Sequence, residues 1–127
     1  MADSAKFRSV DKLKSNIETI VKIAKERSSF IVLSTFAVSL PSTDSLLLER
    51  IKSDSLIMEH FWGSADAAVE GVRAHNKVMK DIASLNNIPL VKIADMIPHD
   101  SNHFLDLCHM KAKSCDIIAK ALSDVIM

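Results

Sequence analysis

Tyrosine is absent from this chain of 127 residues, glycine occurs twice and proline three times. Sixteen acidic residues cancel sixteen basic ones. Each shortage excludes something. With only Gly63 and Gly71 there is no glycine-rich loop to wrap a phosphate, so neither common nucleotide-binding fingerprint is present. A neutral chain has no electrostatic reason to seek a polyanion, and no basic stretch interleaves with aromatics, so a nucleic-acid partner is not expected. The apolar stretches fall far short of the ~20 residues that span a bilayer, so no membrane span is expected. The start, MADSAKFRSVDK, lacks the apolar run of a signal peptide, which favours the cytoplasm. Two cysteines, Cys108 and Cys115, lie seven apart. On one helix face that separation is roughly 10 Å, too far for a disulfide, so reduced thiols are expected.

Apolar residues make up 48% of the chain, enough for one core, and the length suits a single domain over 1–127. Val10, Leu13, Ile17, Ile20, Val21 and Ala24 recur at helical spacing and predict a helix over 8–27. Residues 30–35 (FIVLST) are apolar on both faces, the pattern of a buried parallel strand. A loop with Pro41 precedes a short helix over 45–52. The longest helical pattern covers 65–86, with Ala68, Val72, His75, Met79 and Ile82 on one face, Val78 and Leu85 beside it, and Asn86-Asn87 as terminator. A second buried strand is expected over 88–93, then a polar loop over 94–103. A last helix over 111–125 turns Ile117, Ile118, Ala121, Leu122 and Val125 inward. Strands separated by helices require parallel pairing with helices on both faces, so the fold class is α/β. His75 reads as a packed core residue, Cys115 as a small buried hydrophobe, and the methionines as gap-fillers.

The chemically informative stretch is His99-Asp100-Ser101-Asn102-His103-Phe104-Leu105-Asp106-Leu107-Cys108-His109-Met110. It follows the second strand, and in open α/β sheets catalytic groups gather beyond the carboxyl ends of strands. Asp106 and His109 are three apart, just before a helix. In a tight turn that spacing lets the carboxylate accept from the imidazole Nδ1–H, leaving Nε2 as a general base. A bare D-x-x-H arises by chance in many proteins, and its alternative here is structural: a cap and a satisfied histidine.

The surroundings add weight. The run Phe104-x-Asp106-x-x-His109-Met110, followed by Ile117-Ile118-Ala119 and Leu122, resembles the last block of SGNH/GDSL hydrolases. His75-Asn76-Lys77-Val78, Ile82-Ala83 and Ile88-Pro89-Leu90-Val91 look like the helix and strand before that block. Leu13 to Ala24, then Ile31-Val32-Leu33-Ser34-Thr35, is similar to the preceding helix–strand pair. The resemblance implies a flavodoxin-like three-layer α/β/α sandwich, incomplete here, with about two parallel strands and flanking helices as the C-terminal portion of such a domain. It implies ester hydrolysis on a small-molecule ester without cofactor or metal, with Asp106 and His109 as the catalytic pair. Ser114 stands where the family usually has glycine.

The family's Gly-Asp-Ser nucleophile block and its oxyanion glycine and asparagine are missing from this chain. Ser42-Thr43-Asp44-Ser45-Leu46 and Ser53-Asp54-Ser55-Leu56 spell part of that motif but follow the first strand, so they read as loop serines and caps. Asp3-Ser4 has no strand before it. A metal site from His99, His103, Asp106, Cys108 and His109 matches no common zinc spacing, and Cys108 is expected to point away from its neighbours. The isolated chain is therefore expected to be inactive. Its partner is a complementing chain or a second copy; the competing class is a non-catalytic interaction module.

Overall fold

The computed structural model describes residues 7–54, 60 and 63–127. In chain order its elements are α1 (Ser9–Glu26), β1 (Leu33–Ser34), α2 (Ser45–Ser53), α3 (Ala65–Asn86), β2 (Leu90–Val91), α4 (Ile93–Met96) and α5 (Ala112–Ile126). The protein is α/β but mostly helical (61%), because its two strands are so short.

β1 and β2 pair in parallel, Leu33 opposite Leu90 and Ser34 opposite Val91. Successive side chains on a strand face opposite ways, and the core divides accordingly. Leu33 joins Val21, Val78, Ile82, Ala83 and Ile88, with Ile31 and Leu90 packed alongside, so one face of the sheet lies against α1 and α3. Val91 joins Leu47, Ile51, Ile93, Ile97 and Phe104, with Val32 alongside, so the other face lies against α2 and α5. Ile117, Ile118, Ala121, Leu122 and Val125 of α5 pack against that second core, as their spacing predicts.

Two helices, α2 and α3, start on side-chain caps. Asp44 accepts from the Leu47 amide (3.2 Å) at the start of α2, and Ser64 accepts from the Ala67 amide (3.0 Å) at the start of α3. Asn87 ends α3 in the left-handed conformation (φ 54°), which asparagine tolerates better than most residues.

Several expectations are corrected. Strands expected over 30–35 and 88–93 pair only over Leu33–Ser34 and Leu90–Val91. Phe30 is 66% exposed because the chain is still leaving α1 through Ser28 (φ 52°), and Ile93 is taken by the first turn of α4. That helix also occupies the start of the expected 94–103 loop. Leu85 and Ile20 are exposed, because α1 and α3 meet along Val10, Leu13, Ile17, Val21, Val78 and Ile82. His75 is half-buried and does not sit in the core: its Nε2 lies 2.9 Å from Ser9 Oγ, joining α3 to α1. The buried polar position is its neighbour Asn76, whose amide donates to the Phe36 carbonyl and accepts from the Phe36 N–H, both at 2.8 Å. Cys115 is exposed, because Ser114, about 100° away around α5, fills the buried spot.

Candidate active site

The loops beyond the carboxyl ends of β1 and β2 are laced together by hydrogen bonds. Thr35 Oγ1 accepts from the Ala94 amide (2.9 Å) and the Ser39 amide donates to the Leu107 carbonyl (2.8 Å). Asp44 Oδ2 accepts from the Ser101 amide (2.8 Å), and His99 Nδ1 lies 2.7 Å from the Pro41 carbonyl. Ser42 donates its hydroxyl to the His99 carbonyl. The segment after β2 is thus held against the segment after β1, at the end of the sheet where α/β proteins gather their chemistry.

A tight turn emerges from this platform. Phe104 bridges Met110 in antiparallel fashion, the Leu105 amide donates to the His109 carbonyl (2.8 Å), and the Lys111 amide donates to the His103 carbonyl (2.9 Å). The turn is anchored from beneath by Phe104, fully buried, and by Leu107, which packs with Val38, Ala68 and Val69. Ser114, also fully buried, donates its hydroxyl to the His103 carbonyl at 2.8 Å. A serine at this helix entry therefore makes a bond that glycine could not.

Asp106 and His109 meet at the tip. His109 Nδ1 lies 2.7 Å from Asp106 Oδ2, while Oδ1 accepts the amides of Cys108 (3.0 Å) and His109 (2.8 Å). Burial pushes the Asp106 carboxyl up, but those two amides and the His109 ring reverse the shift, and it stays below the ordinary carboxylate value. An ionised carboxylate on Nδ1 holds that proton there and leaves Nε2 as the basic nitrogen. The His109 side chain is 73% exposed, so a reacting group can reach it.

A second pair of the same spacing lies six residues earlier and was missed at the level of pattern. His103 Nδ1 is 2.7 Å from Asp100 Oδ1, which also accepts the amides of Asn102 (3.0 Å) and His103 (3.1 Å). The repeated Asp-x-x-His is the signal that could have found it. Exposure separates the two pairs: the His103 side chain is 15% exposed, against 73% for His109. The first pair braces the loop; only the second offers its ring to solvent.

The partial nucleophile motifs do not converge on this site. Ser42 is committed to the His99 carbonyl, and Ser45 opens α2 on the surface. Among the described residues no serine hydroxyl bonds to His109. Ser53 bonds back to Arg50 within its own helix (2.8 Å), while Ser55-Leu56 and Asp3-Ser4 lie outside the described residues. Cys108, expected to point away, instead brings Sγ to 3.9 Å from His109 Nδ1. That is the nitrogen already facing Asp106, so the three do not form a nucleophile–base–orienter relay, which needs both ring nitrogens. Burial, then the Asp106 charge, pushes the Cys108 thiol up, away from the reactive thiolate. No protein-family profile, curated protein or solved structure matches the chain. Among the described residues no helix is long and apolar enough to cross a membrane.

Proposed function

We propose that this chain carries the Asp–His arm of an SGNH/GDSL-type ester hydrolase, on the C-terminal portion of a flavodoxin-like three-layer α/β/α sandwich. The supporting observation is the exposed imidazole of His109, oriented through Nδ1 by an ionised Asp106 beyond the carboxyl end of β2. In this reading His109 Nε2 takes the proton of an attacking hydroxyl and returns it to the leaving alcohol. Asp106 holds the tautomer and stabilises the imidazolium. The substrate is a small ester, and neither a cofactor nor a metal enters the acyl transfer.

The hydroxyl nucleophile and the oxyanion donors come from a complementing chain. Losing a single oxyanion donor costs about 10²–10³ in rate, so the isolated chain should be inactive. The test is p-nitrophenyl acetate hydrolysis by the chain alone and by the assembly that copurifies with it, each beside His109→Ala. No turnover alone, with His109-dependent turnover in the assembly, is the expected result. Hydrolysis by the isolated chain that survives His109→Ala and disappears in Ser45→Ala would place the chemistry elsewhere.

A second reading, a non-catalytic interaction module, is favoured by one observation: Phe30 and Phe36, on either side of β1, are 66% and 51% exposed. A stable assembly without His109-dependent turnover would select it.

A further inference from the structure

Cys108 is the metal-ligating side chain of the turn that the proposed Asp–His chemistry does not use. Its Sγ, an Asp106 carboxylate oxygen and a ring nitrogen of His109 all lie within 4.8 Å of one another. An oxygen, a nitrogen and a sulfur thus converge from four consecutive residues, Asp106 to His109. We propose that Asp106, Cys108 and His109 bind one thiophilic divalent cation of the zinc–cadmium class, through Oδ2, Sγ and Nδ1.

Tetrahedral zinc sits ~2.3 Å from sulfur and ~2.0–2.1 Å from nitrogen or oxygen, which puts neighbouring ligand atoms roughly 3.3–3.6 Å apart. Sγ and Nδ1, now 3.9 Å apart, must close by a few tenths of an ångström. Oδ2 and Nδ1, now 2.7 Å apart, must open by somewhat more. Small side-chain rotations supply both, since His109 is exposed and Cys108 half-buried. Asp106 Oδ1 stays on the amides of Cys108 and His109, which orients Oδ2 as the supporting partner of a metal ligand does. A thiolate with an imidazole selects soft or borderline cations over magnesium and calcium. Water completes the tetrahedron on the exposed side of the ring.

The protons balance. The cation takes the Nδ1 lone pair, the ring proton moves to Nε2, and the thiol proton leaves to solvent. One proton is released per cation bound, with no change of oxidation state. Binding does not depend on the hydrolase reading. If that reading holds, an occupied site breaks the Asp106–His109 hydrogen bond and switches the base off.

The test titrates the full chain with cadmium chloride alone, following the ultraviolet thiolate-to-cadmium charge-transfer band, and with zinc chloride by calorimetry. One equivalent of either cation is expected, with no response to magnesium. Cys108→Ser should abolish the cadmium band and weaken zinc by at least tenfold, of the order seen when metal sites are disturbed. His109→Ala should also weaken zinc, and Cys115→Ser should leave both signals intact, with circular dichroism confirming that each variant is folded. Absence of saturable binding at micromolar cation, a cadmium band or zinc affinity unchanged in Cys108→Ser, or a band lost in Cys115→Ser overturns the site. No esterase assay enters, so failure here is distinct from failure of the hydrolase reading.

Discussion

Asp44 does two jobs with one carboxylate: it caps α2 through the Leu47 amide and ties that helix to the second loop through the Ser101 amide. The Ser101 amide above all, then the Ser101 side chain and the Leu47 amide, lowers its pKa to about 2. The unfolded value is ~3.9. A lowered folded pKa means the stabilisation is complete above the unfolded value and is lost as pH falls through the folded one. The melting-temperature gap between the native chain and Asp44→Asn should therefore be constant above about pH 5 and close towards pH 2. Thermal denaturation across that range checks it, and a gap independent of pH would remove the charge from the account. Ser39 gives a prediction of opposite sign. Its hydroxyl is fully buried with no hydrogen-bond partner among the described residues. Removing an unsatisfied buried group is neutral or stabilising, so Ser39→Ala should match or raise the native melting temperature. At this scale Asp106 and His109 were legible because three residues of separation in a turn is a local constraint. The inward position on α3 was not. His75 and Asn76 both suit that helix, and the choice depends on where the Phe36 backbone lies.

Among the elements, the helices were the readable part. The 3.6-residue period and caps such as Asp44 and Asn87 are written within a few neighbouring residues, and the helix bounds follow them closely. The strands were not, because a strand extends only as far as a partner continues beside it. Asn76 shows how the structure manages the end of β1: its side-chain amide pairs with the Phe36 backbone as a neighbouring strand would. Asn76→Ala leaves both Phe36 groups without those bonds and should destabilise by about 1–3 kcal/mol, read as a shift in the urea midpoint. Phe104→Ala empties a fully buried position beneath the Asp106–His109 turn. It should cost about 3–5 kcal/mol, a large share of the ~5–15 kcal/mol of a typical domain. A midpoint within error of the native one would show that the turn is anchored elsewhere.

For the whole molecule, the register of β1 on β2 decides which backbone groups are left over. The amides of Leu33 and Thr35 donate to the carbonyls of Pro89 and Val91, so those of the alternate residue Ser34 face away from β2. A two-stranded sheet is marginal by itself, and an outward edge of this kind recruits another strand. The chain should therefore self-associate at micromolar concentration in sedimentation. Ser34→Pro, which removes an outward donor without removing a β1–β2 bond, should reduce that association. A monomer with one cooperative thermal transition would show that this edge recruits nothing. The division between sequence and tertiary structure follows from range. The helix spans, the α/β alternation and the Asp106–His109 spacing depend on neighbours along the chain, so they could be read in order. The exposure of Cys115, the turn of Cys108 towards His109, the bracing role of Asp100–His103 and the shortness of both strands depend on groups brought together from distant positions. Only folding set those distances, because burial and hydrogen bonding reward whichever residue lies nearest in space.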